Sequence, residues 1–316
     1  MAIAQSGEVA RRVTERTGRR VEIVGVSTQG DHSKEQLTQI GGTGVFVSAL
    51  RESLIRGEVD FAVHSLKDLP TAAAAGISLA AIPPRDDPRD ALVTRDGGKL
   101  ADLPPGARIG TGSPRRAAQL QLLRSDVSCV PIRGNANTRL GKVRDGELDA
   151  VVLAFAGLAR IGHTDLVSEI FEPDDMVPAP GQGALAVECL TADTWLAGLL
   201  GTVDDAPTRA AVTAERSLLA ALEAGCSAPV GGYAASTGAG KLHLQGVVLG
   251  LQTVTSVPGV LDAAANGGTM MVVRERAEGD ASDADRLGRH LAARMLALGA
   301  ADLILAENTN GDDAHD

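Results

Sequence analysis

The sequence predicts an α/β protein of two similar lobes around a central cleft, followed by a smaller α+β unit. Three observations carry this. Gly57-Glu58-Val59-Asp60-Phe61-Ala62-Val63 is echoed by Gly146-Glu147-Leu148-Asp149-Ala150-Val151-Val152, and each follows a helical stretch and leads into an apolar strand. Two proline- and glycine-broken connections, Pro83–Asp90 and Pro178–Gly183, separate the blocks, and a chain that crosses between lobes twice makes a hinged clamshell. Beyond residue 206 the order changes to helix, strand, strand and helix. The expected domains are 1–85 with 184–203, then 88–178, then 206–316.

Composition narrows the function. Hydrophobic residues at 44% and charged residues at 22% describe an ordinary globular chain. Aromatics at 2% leave no base-stacking platform, and a net charge of -10 disfavours phosphate backbones and anionic membranes. Neither nucleic acid nor membrane is therefore an expected partner. No apolar run reaches the roughly 18 residues of a membrane span, so the expected location is the cytoplasm; a monomer is the expected state. Cys129, Cys189 and Cys226 are too few and too scattered for a disulfide framework, and no Cys/His spacing marks a metal site. A basic site must be a local cluster with a small anionic ligand.

In chain order, 4–17 reads as a helix stopped by Gly18, and Val21–Val26 as a strand. Gly41–Gly44 is a glycine-rich turn, suited to close packing or weak anion binding, before a helix to Arg56 with Phe46, Leu50 and Leu54 on one face. Val59–Val63 is a buried strand. Ala107–Gly110 is another, and Ser113 as N-cap with Pro114 at N1 opens a helix to Arg124. Val127–Ile132 is a strand before a helix opened by Arg133–Arg139. Leu148–Ala159 carries the most apolar strand, and Ala184–Cys189 follows the second connection. Then come a helix over Thr208–Ala224, strands near 230–235 and 242–249, a helix over 282–299 and a polar tail from Asn308. Residues 250–268 carry no clear pattern.

Chemistry concentrates at a few turns. Pro70 forces a turn just after Lys67-Asp68, at the carboxyl end of a strand where open α/β sheets place ligands. The pair alone reads equally as a surface ion pair. Arg115 and Arg116 lie in a helix first turn, where cations oppose the helix dipole, so an anion is expected to offset them; a solvated pair is the plainer reading. Arg133 and Arg139 repeat the arrangement. Guanidinium forks match carboxylates, so a ligand with several carboxylates explains the count. Cys226, on a turn between Gly225 and Ser227, is either an accessible thiol or a small turn filler.

Together these residues resemble the porphobilinogen deaminase (hydroxymethylbilane synthase) family. The likeness runs along Val63–Pro70, Gly110–Arg116, Ile132–Asn135, Pro180–Ala184 and Glu223–Gly231, in family order. It implies two lobes like type II periplasmic binding proteins and a third domain. It implies a transferase of tetrapyrrole and haem biosynthesis that condenses four porphobilinogen molecules stepwise, each losing ammonia, into hydroxymethylbilane. It implies a dipyrromethane cofactor covalently attached through Cys226, and Asp68 as the catalytic carboxylate that stabilises a cationic azafulvene and moves a proton. Lys67, Arg115, Arg116, Arg133, Arg139 and Arg160 match carboxylate-binding positions, and Ser65, Thr111, Ser113, Asn135 and Gln182 match cleft-lining ones.

Two departures stand out. The family normally opens with a strand ending in an Arg-x-Gly-Thr-Arg-x-Ser type segment, whereas Met1 lies just after that point: either the true start lies upstream of Met1 or the chain lacks a core strand and a cleft arginine, and as written it is expected to be poorly active or unstable. Gln39 and Thr43 stand where some relatives carry lysines. The rival reading is a non-enzymatic anion-binding clamshell, which needs no third domain with a turn thiol.

Overall fold

The computed structural model describes residues 1–26, 42–224, 228–252 and 269–304. Helix α1 (Ala2–Thr17) buries Gln5, Val9 and Val13, four residues apart on one stripe, and Gly18 ends it by donating its N–H to Thr14 O. Helix α2 (Gly42–Ile55) starts within the glycine-rich stretch and buries Leu54. Strand β1 (Phe61–Ser65) begins four residues after Gly57, and strand β6 below begins four after Gly146; both glycines take left-handed φ, 68° and 80°. The sequence echo is thus the same helix stop and strand entry used twice.

After β2 (Ile77–Ala81), the chain crosses to a second sheet and builds β3 (Asp90–Thr94), β4 (Arg108–Thr111), α3 (Pro114–Leu123), β5 (Ser128–Pro131), α4 (Ala136–Arg144), β6 (Ala150–Ala154), α5 (Phe155–Arg160) and β7 (Glu169–Ile170). It then returns to the first sheet as β8 (Leu185–Leu190), followed by α6 (Thr194–Leu200). The first sheet has the antiparallel order β1-β8-β2, and the second β5-β4-β6-β3-β7, in which β4 runs parallel to β5 and β6. Alternation along β3 and β6 sends Leu92 and Val152 into one core, and Ala91, Val93, Val151 and Leu153 into the other.

Helix α7 (Ala206–Ala221), strands β9 (Val230–Gly238), β10 (Lys241–Gln252) and β11 (Thr269–Asp280), and α8 (Ala284–Ala297) complete the described chain. The three strands form an antiparallel meander, and α7 and α8 pack on it through Leu218, Leu244, Leu291 and Met295.

The structure corrects one expectation. Val21–Val26 is not a strand: among the described residues β1 pairs only with β8 and that segment finds no ladder, and Ile23 and Val24 stay 47% and 55% exposed. Together with β1 it lines an open groove of about 930 Å³ that runs down to Ser65 and Asp68. Strand β11 lies just beyond the unpatterned residues 250–268, over a stretch the sequence analysis left unassigned. It is an edge strand, and charged residues such as Arg274, Glu275 and Arg276 mask its period. Residues 253–268 and the tail from 305, like Gln39, lie outside the described residues.

Candidate active site

Past Ser65 the chain enters a single 3-10 turn, Leu66–Asp68. Leu66 and Leu69 are buried and anchor it, which leaves Lys67 and Asp68 half-buried between them. The Leu66 N–H donates to Ala184 O at 3.0 Å. Gly181, at φ +76°, lets the second crossing close over the turn: a Cβ there would stand 3.1 Å from Leu66 Cγ and 3.3 Å from the Lys67 nitrogen. Ser65 Oγ accepts a 2.7 Å hydrogen bond from Gln5 Nε2 on α1. Beneath the turn, Glu188 accepts both Arg51 bonds (3.0 and 2.7 Å) and lies 3.2 Å from His64 Nε2. Burial alone would raise the Glu188 carboxyl; His64 and Arg51 overcome that and lower it to about 2.

The second sheet supplies the cations. Ser113 caps α3 by accepting from the Arg116 N–H, and Thr111 Oγ1 accepts from the Ser113 N–H. Arg115 and Arg116 are buried, and both pair with the fully buried Asp90 at 2.8 Å. The anion expected at this helix start is therefore supplied, at least in part, by the protein's own carboxylate. Burial would raise Asp90, but the two guanidiniums hold it well below the usual carboxylate range. Arg115 also donates to Val177 O at 2.6 Å, and Arg116 to Val152 O at 3.1 Å.

Gln182 joins the two sheets. Its Nε2 donates to Pro88 O at 2.6 Å and to Asp90 at 2.9 Å, which aims its Oε1 at Lys67 Nζ (3.2 Å) and Arg116 Nη2 (3.4 Å). Burial, with the Arg116 guanidinium adding to it, pushes the Lys67 ammonium down to about 8. Arg139 is half-buried, donates to Gly134 O and is lowered first by burial and then by Arg116. Arg133 and Asn135 are exposed; Asn135 caps α4 through the Thr138 N–H, and Arg133 makes no hydrogen bond or ion pair among the described residues. Arg160 stands at the crossings instead, on Asp86 and Gly183 O, both at 2.8 Å. Cys226 lies outside the described residues; Ala224 and Ala228 beside it pack against the third core.

Sequence reasoning missed Gln5, Asp86, Asp90, Glu215 and Arg216, all of which act across long separations. The available signals were a polar residue on an apolar helix stripe (Gln5, Glu215) and a charge opening a wholly buried strand (Asp90).

Residues 1–197 match the family model described as "Porphobilinogen deaminase, dipyromethane cofactor binding domain", and residues 209–297 match "Porphobilinogen deaminase, C-terminal domain". The chain belongs to the porphobilinogen deaminase family. It is 54% identical to the porphobilinogen deaminase of Thermobifida fusca, over 98% of this chain and 94% of that one. It is 55% identical to porphobilinogen deaminase 1 of Streptomyces coelicolor, over 96% and 94% respectively. Among solved structures, the Bordetella pertussis BvgS VFT2 domain aligns at a TM-score of 0.39 and 19% identity, covering 63% of this chain and 76% of that one.

The donor set fits the cofactor that this porphobilinogen deaminase family model names. A dipyrromethane bearing acetate and propionate groups is a polycarboxylate. Lys67, Arg133 and Arg139 are cations that make no ion pair among the described residues, and the buried Nε–H groups of Arg115 and Arg160 lack a hydrogen-bond acceptor among them. One pH effect follows. Lys67 is charged below about 8 and neutral above it, and only the charged form attracts a carboxylate. The KM for porphobilinogen is therefore expected to rise as pH passes through about 8. Lys67→Arg should move that limb upward; an unchanged limb would remove Lys67 from carboxylate binding.

Proposed function

We propose that this chain condenses four porphobilinogen molecules into hydroxymethylbilane on a dipyrromethane attached through Cys226. The observation that carries the reading is the joining of the Lys67-Asp68 turn, through Gln182, to the Asp90-held arginines of the second sheet. Family membership supports it across nearly the whole chain. The three sheets support a division into domains at 1–85 with 184–203, 88–178 and 206–316.

The dipyrromethane, when bound, supplies a free pyrrole α-carbon as nucleophile. The protein's residues do the rest. In each cycle the substrate's C–N bond would break as ammonia leaves with a delivered proton, and joining the substrate to the chain would release one proton, so the protein's task is to deliver one proton and take one back. Asp68 is placed to handle these protons: its carboxylate has no hydrogen bond or ion pair among the described residues, and Lys67 is the neighbouring charge. An ionised carboxylate there also accepts pyrrole N–H bonds and stabilises the cation left on the substrate when ammonia departs. Lys67, Arg116, Arg133 and Arg139 hold acetates and propionates. Arg115 and Arg160 offer their acceptor-free Nε–H groups to a ligand carboxylate while keeping Asp90 and Asp86. Ser65, Thr111, Ser113 and Asn135 shape the cleft walls.

No helix among the described residues is long and apolar enough to cross a membrane; a cytoplasmic monomer is the proposed state. Intact-mass measurement of the folded protein tests the function directly. A dipyrromethane adduct is expected on the wild type and absent from Cys226→Ala, with porphobilinogen consumed only by the former. A folded wild type with no adduct and no turnover would favour the rival anion-binding clamshell.

A further inference from the structure

Helix α7 carries Arg216, which neither the motifs nor the site geometry above puts to use. Its Nη1 donates to Leu69 O at 2.8 Å and to Leu66 O at 3.4 Å, and its Nη2 donates to Pro70 O at 2.7 Å. These three carbonyls bracket Asp68. Leu69 and Pro70 follow the turn, where carbonyl oxygens find no partner inside it, and a guanidinium fork answers several oxygens at once. Asp68 has no side-chain partner among the described residues to hold it, so its backbone decides where its carboxylate stands. The nearest other tethers on that backbone are the Leu66 N–H to Ala184 O bond and the turn's own Leu69 N–H to Leu66 O bond.

We propose that Arg216 is a positioning residue for the reaction: through it, the unit that carries Cys226 ten positions further along holds the turn that presents Asp68. The inference rests on the reading of Asp68 as the proton-handling carboxylate. Its physical content is that helix α7 fixes the backbone of the turn, and with it the point from which the Asp68 carboxylate projects. Displacing a reacting group by about 1 Å is enough to cost on the order of 10²-fold in rate.

The test uses the full chain with Arg216→Lys and Arg216→Gln. Lysine keeps the charge but gathers its donors on one nitrogen, so it cannot span the three carbonyls. Expected results are faster amide hydrogen exchange confined to residues 65–72, a kcat lowered by about 10- to 100-fold per adduct-bearing molecule, and a KM within about twofold of wild type. The adduct mass on Cys226 should persist in both variants. A purely structural role would lower the folded fraction while leaving kcat per adduct-bearing molecule intact, and that result overturns the proposal. Unchanged exchange over 65–72 overturns it as well. A wild type without adduct or turnover overturns the deaminase reading and this inference together, whereas an active wild type with an equally active Arg216→Lys overturns only the inference.

Discussion

Asp68→Asn is expected to yield a folded protein that still carries the adduct on Cys226 yet consumes porphobilinogen about 10²–10⁴-fold more slowly. The asparagine amide matches the carboxylate in shape and still accepts a hydrogen bond, but it neither carries a proton at working pH nor offers negative charge to a developing cation. Stability should change little, because the half-buried Asp68 carboxylate makes no hydrogen bond or ion pair among the described residues whose loss would be felt. Steady-state turnover beside an intact-mass spectrum separates the two effects. Turnover within about twofold of wild type, with the adduct present, would remove Asp68 from the chemistry.

Glu215→Gln is expected to produce the largest loss of stability. Glu215 is fully buried on α7 and accepts from Arg85 Nη1 at 2.6 Å and Nη2 at 3.1 Å, from the Gly181 N–H at 2.7 Å and from the Ala234 N–H at 2.8 Å. It therefore clasps both crossings between the first two sheets to the third sheet. Arg85 extends the clasp through its Nε to Gln182 O at 2.7 Å. A glutamine leaves the Arg85 charge without its counter-ion and turns an NH₂ group toward donors. Breaking a buried pair from one side costs about 3–5 kcal/mol, which lowers the apparent Tm by on the order of 10 °C. Replacing both Arg85 and Glu215 by methionine should recover much of that loss, since the double variant buries no unpaired charge. Thermal scans of the single and double variants check both parts, and a Tm within about 2 °C of wild type for Glu215→Gln would refute the clasp.

Clasp and turn illustrate where sequence reading succeeds. Gly18, Gly57, Ser113 with Pro114, and Asn135 each stop or start a helix within a residue or two of the expected place. Capping and left-handed glycines act over a few residues, so their signal is local. The turn at Lys67-Asp68 was readable for the same reason, because Pro70 leaves the chain few choices. Failures occurred where a partner lies far along the chain. Val21–Val26 has the composition of a strand but finds no ladder among the described residues.

The arginines show the same division more sharply. Sequence alone placed Arg115 and Arg116 at a helix start and led to the expectation of an anion beside them, with a solvated pair as the alternative, in a two-lobed frame whose cleft also takes Lys67-Asp68. Whether that anion is a ligand or Asp90 depended on a strand 25 residues upstream of Arg115 folding against the same helix start. Likewise, only the folded chain shows Gln182 with its amide polarity set by Asp90 and Pro88, or Arg216 closing on the turn that holds Asp68. Helix caps and turn residues act through neighbours in sequence, whereas buried charges are assigned by whichever opposite charge the tertiary packing places within about 3 Å.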